Sequence, residues 1–242
     1  MNKKKIGIIG YGKWGKKILP ILKEICDIKF LINSKINYKN INHKVDWVFV
    51  ITNNKSHYEI VKYFLNKKKN VFCEKPLTEN YHSTKTLFNL AEKNKVKLYV
   101  SDVEYYKKKK IKIKNENNVL RFKRNSLTSG NLLFRLSYHD FYILSDCLKK
   151  KNISKFNLIL NNNSKLFFSF FIGKKKFNFF YNTRSIINIH KFNQTNFRQF
   201  KGNPLKLMFK NIFADKVNYQ RNKNYALSAS KIIHYLNKKG LR

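Results

Sequence analysis

The chain has 242 residues, room for one large domain or two small ones with an ample core, and no apolar run approaches a membrane span in length. Its 52 Lys+Arg against 13 Asp+Glu give a formal net charge of +39, enough to attract any polyanion at low salt. Three cysteines, Cys26, Cys73 and Cys147, have no metal-ligand spacing and leave an odd count, which argues against zinc and reads as free thiols in a reducing, cytoplasmic setting.

The basic start (Lys3, Lys4, Lys5) precedes an apolar stretch too short and glycine-broken for a signal peptide. That stretch, Ile6-Gly7-Ile8-Ile9, is a predicted strand, and Gly10-Tyr11-Gly12-Lys13-Trp14-Gly15 follows it directly. The six residues match the G-x-G-x-x-G dinucleotide pattern. The first glycine permits a tight strand-to-helix turn, the second lets backbone approach a pyrophosphate, and the third lets the next helix pack closely. That helix, about Trp14 to Ile25, would aim its free N–H groups and positive dipole end at the phosphates. Strand, turn and helix stand in the required order, which a chance glycine-rich turn does not produce.

A second strand is predicted at Ile28-Lys29-Phe30-Leu31-Ile32. It ends at Asn33-Ser34-Lys35, where dinucleotide folds commonly place an acid for the ribose 2′-hydroxyl. No acid stands there. Asn33 can hydrogen-bond a ribose, and Ser34 and Lys35 suit a 2′-phosphate, which favours NADP over NAD; the alternative is an ordinary polar loop. Trp47-Val48-Phe49-Val50-Ile51 reads as a fully buried strand. Too few residues separate it from the second strand for a crossover helix, so this half of the domain is expected to be trimmed.

His57, Ile60, Val61, Phe64 and Leu65 form the apolar stripe of the next helix. Strand Val71-Phe72-Cys73, a turn through Pro76, a helix carrying Leu87, Leu90 and Ala91, and strand Val96 to Val100 complete the series. Strands alternating with helices mean a parallel sheet, and the first domain is expected to span 1–101. In 102–242, Lys107 to Lys114 reads as a solvated connection or edge strand, Asn118 to Lys123 as a strand and Tyr138 to Leu148 as a helix. Phe156 to Leu160, Leu166 to Ile172, Phe177 to Tyr181 and Ser185 to Phe192 read as β segments of a mostly antiparallel sheet. Asn203-Pro204 opens a helix with Leu205, Met208, Phe209, Ile212 and Phe213 on its buried face. A last helix runs from about Tyr225 to Leu236. The expected fold is α/β: a Rossmann parallel sheet, then a reduced α+β domain on a mostly antiparallel open sheet.

Three segments carry candidate chemistry. Thr52 to His57 follows the third strand at its carboxyl end, where ligands of open α/β sheets bind. Glu74-Lys75-Pro76-Leu77 follows the fourth strand at the same edge. His139-Asp140 lies near the start of a later helix. A lysine at a sheet edge can hold a hydroxyl and favour its ionised form, and a histidine can take the hydroxyl proton as hydride leaves carbon. Against that stand the abundance of lysine here and the more common structural role of a lone histidine.

The run Asp46 to Asn54, through His57-Tyr58-Glu59-Ile60-Val61 and on to Val71-Phe72-Cys73-Glu74-Lys75-Pro76-Leu77, resembles the glucose–fructose oxidoreductase/inositol dehydrogenase (Gfo/Idh/MocA) family. That family carries D-x-V-x-I-A-T-P-N-x-x-H followed by E-K-P. Leu132 to Asp140 resembles its histidine segment, and Asn203-Pro204-Leu205 with Phe209, then Ala226-Leu227, is similar to its closing helices. The resemblance implies a Rossmann domain, a second domain with an open sheet and a nicotinamide cofactor. It makes Lys75 and His139 the catalytic pair, with Gly10, Tyr11, Gly12, Lys13, Trp14, Gly15, Asn33, Ser34, Lys35, Thr52, Asn54, His57, Glu74, Lys75 and Pro76 around the cofactor.

Lys75, Arg135, His139 and Asp140 would then meet a sugar-type substrate. Arg135 stands where active members commonly carry an aspartate, and an arginine cannot orient an imidazole as a carboxylate does. It can clamp an anionic substrate instead, or Asp140 can substitute. Asn53 replaces the usual proline, and the chain is shorter than a typical member. The leading expectation is an NAD(P)-dependent oxidoreductase for a sugar or nucleotide sugar, in surface-polysaccharide synthesis by family analogy, with no metal, no membrane span and possible homo-oligomers. The alternatives are a non-catalytic nucleotide-binding member and a basic nucleic-acid-binding protein. Composition drift in an AT-rich genome accounts for the lysine, asparagine, isoleucine, phenylalanine and tyrosine content but not for the scarcity of acids, and no recognised nucleic-acid motif is present, so no specific nucleic-acid partner is expected.

Overall fold

Phe49 is wholly buried in a strand whose four residues are all buried, and the first of two units is built round it. A computed structural model describes residues 3–33, 36–41, 44–107, 109–124, 136–142, 144–148 and 151–240. Residues 1–103 with 203–226 form one compact unit, and 104–202 with 227–242 the other. In the first, β1 (Lys5–Ile9), β2 (Asp27–Ile32), β3 (Trp47–Val50), β4 (Asn70–Cys73) and β5 (Leu98–Val100) make a parallel sheet in the order β2-β1-β3-β4-β5. The continuous apolar runs of β3 and β4 follow from burial on both sheet faces. Helices α1 (Lys13–Ile25), α2 (Asn54–Asn66) and α3 (Tyr81–Lys93) make the crossovers. Only a 3₁₀ turn, Tyr38–Asn40, is described between β2 and β3, as the short spacing predicted.

Asparagine is common in this chain and starts α2 and α3. The Asn53 side chain accepts from the Ser56 amide at 3.2 Å, and Asn80 accepts from His82 and Ser83 at 2.8 and 3.3 Å. Each cap satisfies amides that have no partner inside the helix, an effect worth about 1 kcal/mol per helix.

The second unit begins with a 3₁₀ turn, Tyr105–Lys107, and an irregular stretch over 109–114. That stretch forms no strand, because side chains satisfy its carbonyls: Thr195 donates to Lys110 O at 3.1 Å and Asn193 to Lys112 O at 3.2 Å. Then come β6 (Glu116–Arg124), α4 (Tyr138–Tyr142), α5 (Ser145–Leu148), β7 (Ile153–Asn161), β8 (Lys165–Ile172), β9 (Lys175–Ser185), β10 (Ile189–Phe192) and β11 (Thr195–Asn196). Their order is β11-β10-β6-β9-β8-β7, antiparallel except for the β6–β9 pair. The helix expected over Tyr138 to Leu148 is two short ones. The segment expected over Ser185 to Phe192 is divided, with β9 running on to Ser185 and Ile186 turned out to 86% exposure. Phe168, Phe170, Phe177, Phe179 and Tyr181 are fully buried, and Phe141 of α4 packs its ring 5.5 Å from that of Phe179.

After residue 202 the chain returns to the first unit, which a single boundary near Ser101 does not anticipate. Asn203 caps α6 (Pro204–Phe213) by accepting from Lys206 N at 3.0 Å. Phe209 of α6 sits edge-on to Phe49 and Phe72 at 5.5 and 5.3 Å, and that aromatic burial is what recruits the segment. The final helix α7 (Tyr219–Lys238) starts six residues before the expected Tyr225 and contributes to both units.

The start of α7 is tied to the end of β5. Asn222 bonds both the N–H and the C=O of Val100, at 2.9 and 2.8 Å. Asp102 accepts from Tyr99 Oη at 2.6 Å and pairs with Arg221 at 3.3 Å. Burial pushes the Asp102 carboxyl up to about 6, although Tyr99 and Arg221 oppose it. The folded state therefore keeps a proton that the unfolded chain has released, and stability falls as pH rises from about 4 to about 6. Asp102→Asn should flatten this slope, removing about 3 kcal/mol of pH-dependent loss; denaturant unfolding from pH 4 to 7 measures it.

Candidate functional site

The glycine turn divides its work between fold and open space. Gly10 has φ +106°, and a Cβ there would lie 2.4 Å from the Ile51 carbonyl oxygen. A Cβ on Gly15 would lie 2.6 Å from Gly10 O, so the helix packs against its own turn at backbone distance. A Cβ on Gly12 would meet nothing within 4 Å. Gly12 precedes α1, no side chain caps that helix, and no acidic residue stands in its first turn. Its free N–H groups and dipole end therefore face no competing carboxylate.

The space over Gly12 belongs to a cleft of about 810 Å³. The turn from Gly10 to Trp14 forms one wall; Asn33, Tyr38, Thr52, Asn53 and Ser56 contribute from the loops after β2 and β3. This is the carboxyl end of β1 and β3, where the strand order reverses and α/β folds bind ligands. Ser56 Oγ donates to Thr52 Oγ1 at 2.8 Å, and with the Asn53 cap this fixes the floor of the loop.

Of the residues expected round a cofactor, Gly10, Tyr11, Gly12, Lys13, Trp14, Asn33 and Thr52 line the cleft. Asn54 is the first residue of α2 and does not line it. His57 is fully buried, with Nδ1 at 2.8 Å from Pro76 O and Nε2 at 3.2 Å from Thr52 O. Burial pushes its pKa down, so it is neutral and donates to one carbonyl, the closer being Pro76 O. It positions the Thr52 loop against the Glu74-Lys75-Pro76 loop. Glu74 is buried, and its carboxylate accepts from the Lys75 amide at 3.3 Å. Ser34, Lys35 and Arg135 lie outside the described residues. Asn53 and Ser56 lay in the candidate segment Thr52 to His57 without being assigned to the cofactor, and Tyr38 was missed as a cleft residue.

In the second unit, α4 buries both His139 and Asp140. The Asp140 carboxylate accepts from His190 Nε2 at 2.6 Å and Tyr181 Oη at 3.1 Å, with Arg121 3.6 Å away. Burial alone would raise its pKa, but His190 and Arg121 hold it below the usual range. Arg121 also faces Glu104 at 3.6 Å, and Glu104 pairs with Lys107 at 2.7 Å. Asp140 is thus the hub of a buried ion network. No sequence signal linked Glu104, Arg121, Tyr181 and His190, which come from the opening turn and three strands.

A glycine cradle with open space above it lies at the switch point of a parallel sheet, the place where α/β folds bind ligands. Residues 25–102, beginning at the last residue of α1 and so leaving out that cradle, match an oxidoreductase family with an NAD-binding Rossmann fold. The whole chain is similar in fold to the UDP-N-acetylglucosamine 3-dehydrogenase GnnA from Acidithiobacillus ferrooxidans, at TM-score 0.84 and 11% identity over 100% of both chains. It is also similar to the dehydrogenase MviM from Clostridium difficile, at TM-score 0.77 and 17% identity over 98% of this chain and 99% of that one. A Gfo/Idh/MocA family oxidoreductase from Vibrio cholerae gives TM-score 0.69 and 16% identity over 99% and 100%. No curated protein matches the chain by sequence. No helix among the described residues is long and apolar enough to cross a membrane, and no metal-holding cluster is found among them.

Proposed function

We propose that this protein is an NAD(P)-dependent oxidoreductase acting on a hydroxyl of a sugar or nucleotide sugar. The observation that carries the reading is the open space over Gly12 at the uncapped start of α1, which fits a pyrophosphate and would be filled by any side chain. Amides of the Gly10–Trp14 turn would hold that pyrophosphate. Asn33, in place of an acid, leaves room for a 2′-phosphate without charge repulsion, which favours NADP. The fold likeness to GnnA supports a nucleotide sugar within the wider sugar class.

Nicotinamide, when bound, supplies the hydride acceptor or donor. Lys75, at the carboxyl edge of the sheet, is assigned to hold the reacting hydroxyl and stabilise negative charge on its oxygen. His139 is assigned to take the hydroxyl proton. Both roles come from the family resemblance, as does assembly with further copies; the cytoplasmic setting comes from the three cysteines. The Asp140 carboxylate, expected to meet substrate or to substitute for the missing aspartate, is engaged by His190, Tyr181 and Arg121.

Nicotinamide fluorescence titration with NADH and NADPH tests this, at salt high enough to screen general charge attraction. Saturable binding with tighter NADPH is the expected outcome; absence of saturation for both cofactors defeats the proposal. Once a nucleotide-sugar substrate is found, Lys75→Ala should lower kcat by about 10²-fold or more.

A further inference from the structure

The second unit contains a pocket of about 350 Å³ that the proposed nicotinamide chemistry does not use. Lys107, Arg121, Lys123 and Arg198 line it, together with His190, and no acidic side chain among the described residues does. The two carboxylates that offset this charge, Glu104 and Asp140, are buried among the partners of Arg121. They hold Arg121 and Lys107 in fixed positions while four formal positive charges line the wall. Phe122 and Phe200 add aromatic surface; the Phe200 ring lies 5.1 Å from Lys107 Nζ and is 41% exposed.

We propose that this pocket binds a phosphate ester carrying a planar ring, a nucleotide-type ligand. Preset cations balance the phosphate charge without having to be ordered on binding, and the phenyl faces accept a flat heterocycle. A cluster of lysines on an open surface would lack both features: the carboxylates that hold the cations and the aromatic walls beside them. The inference does not rest on the nicotinamide reading, because every residue it uses lies in residues 104–202.

The test uses the full chain carrying Gly12→Val, which removes the dinucleotide cleft as a competing nucleotide site. Calorimetric titrations with inorganic phosphate and with uridine monophosphate are run at high salt. Saturable binding of both is expected, with uridine monophosphate the tighter. Arg198→Ala should weaken both about tenfold, equivalent to about 1.4 kcal/mol. Phe200→Ala should weaken uridine monophosphate alone. Lys174→Ala, an exposed cation in the β8–β9 turn, should change nothing. The proposal is overturned if neither probe saturates, or if Lys174→Ala weakens binding as much as Arg198→Ala. Failure of NADH and NADPH to bind the unmodified chain would leave this result intact, so the two readings fail separately.

Discussion

Gly12→Val should abolish NADH and NADPH binding, by more than about 10²-fold, while thermal unfolding stays close to that of the parent protein. The backbone at Gly12 is extended, with φ −79° and ψ −166°, a conformation that suits valine. Its Cβ would enter open space, so the fold loses nothing, but the branched methyls occupy the volume a phosphate needs. Gly15→Ala is the contrasting variant. Inside a helix, alanine ordinarily gains about 1 kcal/mol over glycine. Here its Cβ would sit 2.6 Å from the Gly10 carbonyl oxygen, backbone against backbone, and the turn must shift. A loss of about 2 kcal/mol in place of that gain is expected, in the range of overpacked sites. Denaturant unfolding paired with fluorescence titration separates the two effects. Retained cofactor binding in a folded Gly12→Val protein would remove the pyrophosphate from this turn.

The largest expected loss of stability is at Arg121. Its guanidinium is the shared partner of Asp140 and Glu104, and both carboxylates are buried. Burial would lower the arginine pKa, but Asp140 and Glu104 raise it instead, which keeps the cation charged. Arg121→Met leaves two buried carboxylates short of a cation and should cost about 3–5 kcal/mol at neutral pH. Removing the cation raises the folded-state pKa of Asp140, so the variant should regain stability as pH falls through that raised value. Arg121→Met with Asp140→Asn should recover part of the loss, because one buried charge disappears with its partner. Urea unfolding of the single and double variants between neutral and acid pH measures all three effects. A single-variant cost below about 1 kcal/mol would mean that solvent screens the cluster, as it does exposed pairs.

Much of the first unit was legible because its signals are local. The clash that requires glycine at position 15 is with the Gly10 carbonyl, inside the same turn. The buried character of β3 is written in its own four residues, and the Asn53 and Asn203 caps bond amides three positions on. The lack of room for a full crossover helix between β2 and β3 followed from spacing alone.

The second unit was legible as β segments but not as a site. Arg121, Asp140, Tyr181 and His190 are brought together by the pairing of β6 with β9 and β10 and by the packing of α4 on that sheet. None of them lies near enough in sequence to another to form a motif. Asp140 looked like a spare proton acceptor beside His139, and only its three partners show that its charge is already balanced. The return of residues 203–226 was equally hidden, since an amphipathic helix displays an apolar face without naming the sheet that will cover it.

Composition, local sterics and spacing along the chain determined the parallel α/β unit, the glycine cradle and the strand-rich second half. Tertiary structure decided which α6 aromatic covers Phe49, which carboxylates anchor Arg121, and that basic and aromatic side chains from separate loops and strands enclose one pocket. The physical reason is range: backbone sterics and helix caps act over a few residues, whereas burial and charge pairing depend on whichever distant segments the fold makes neighbours.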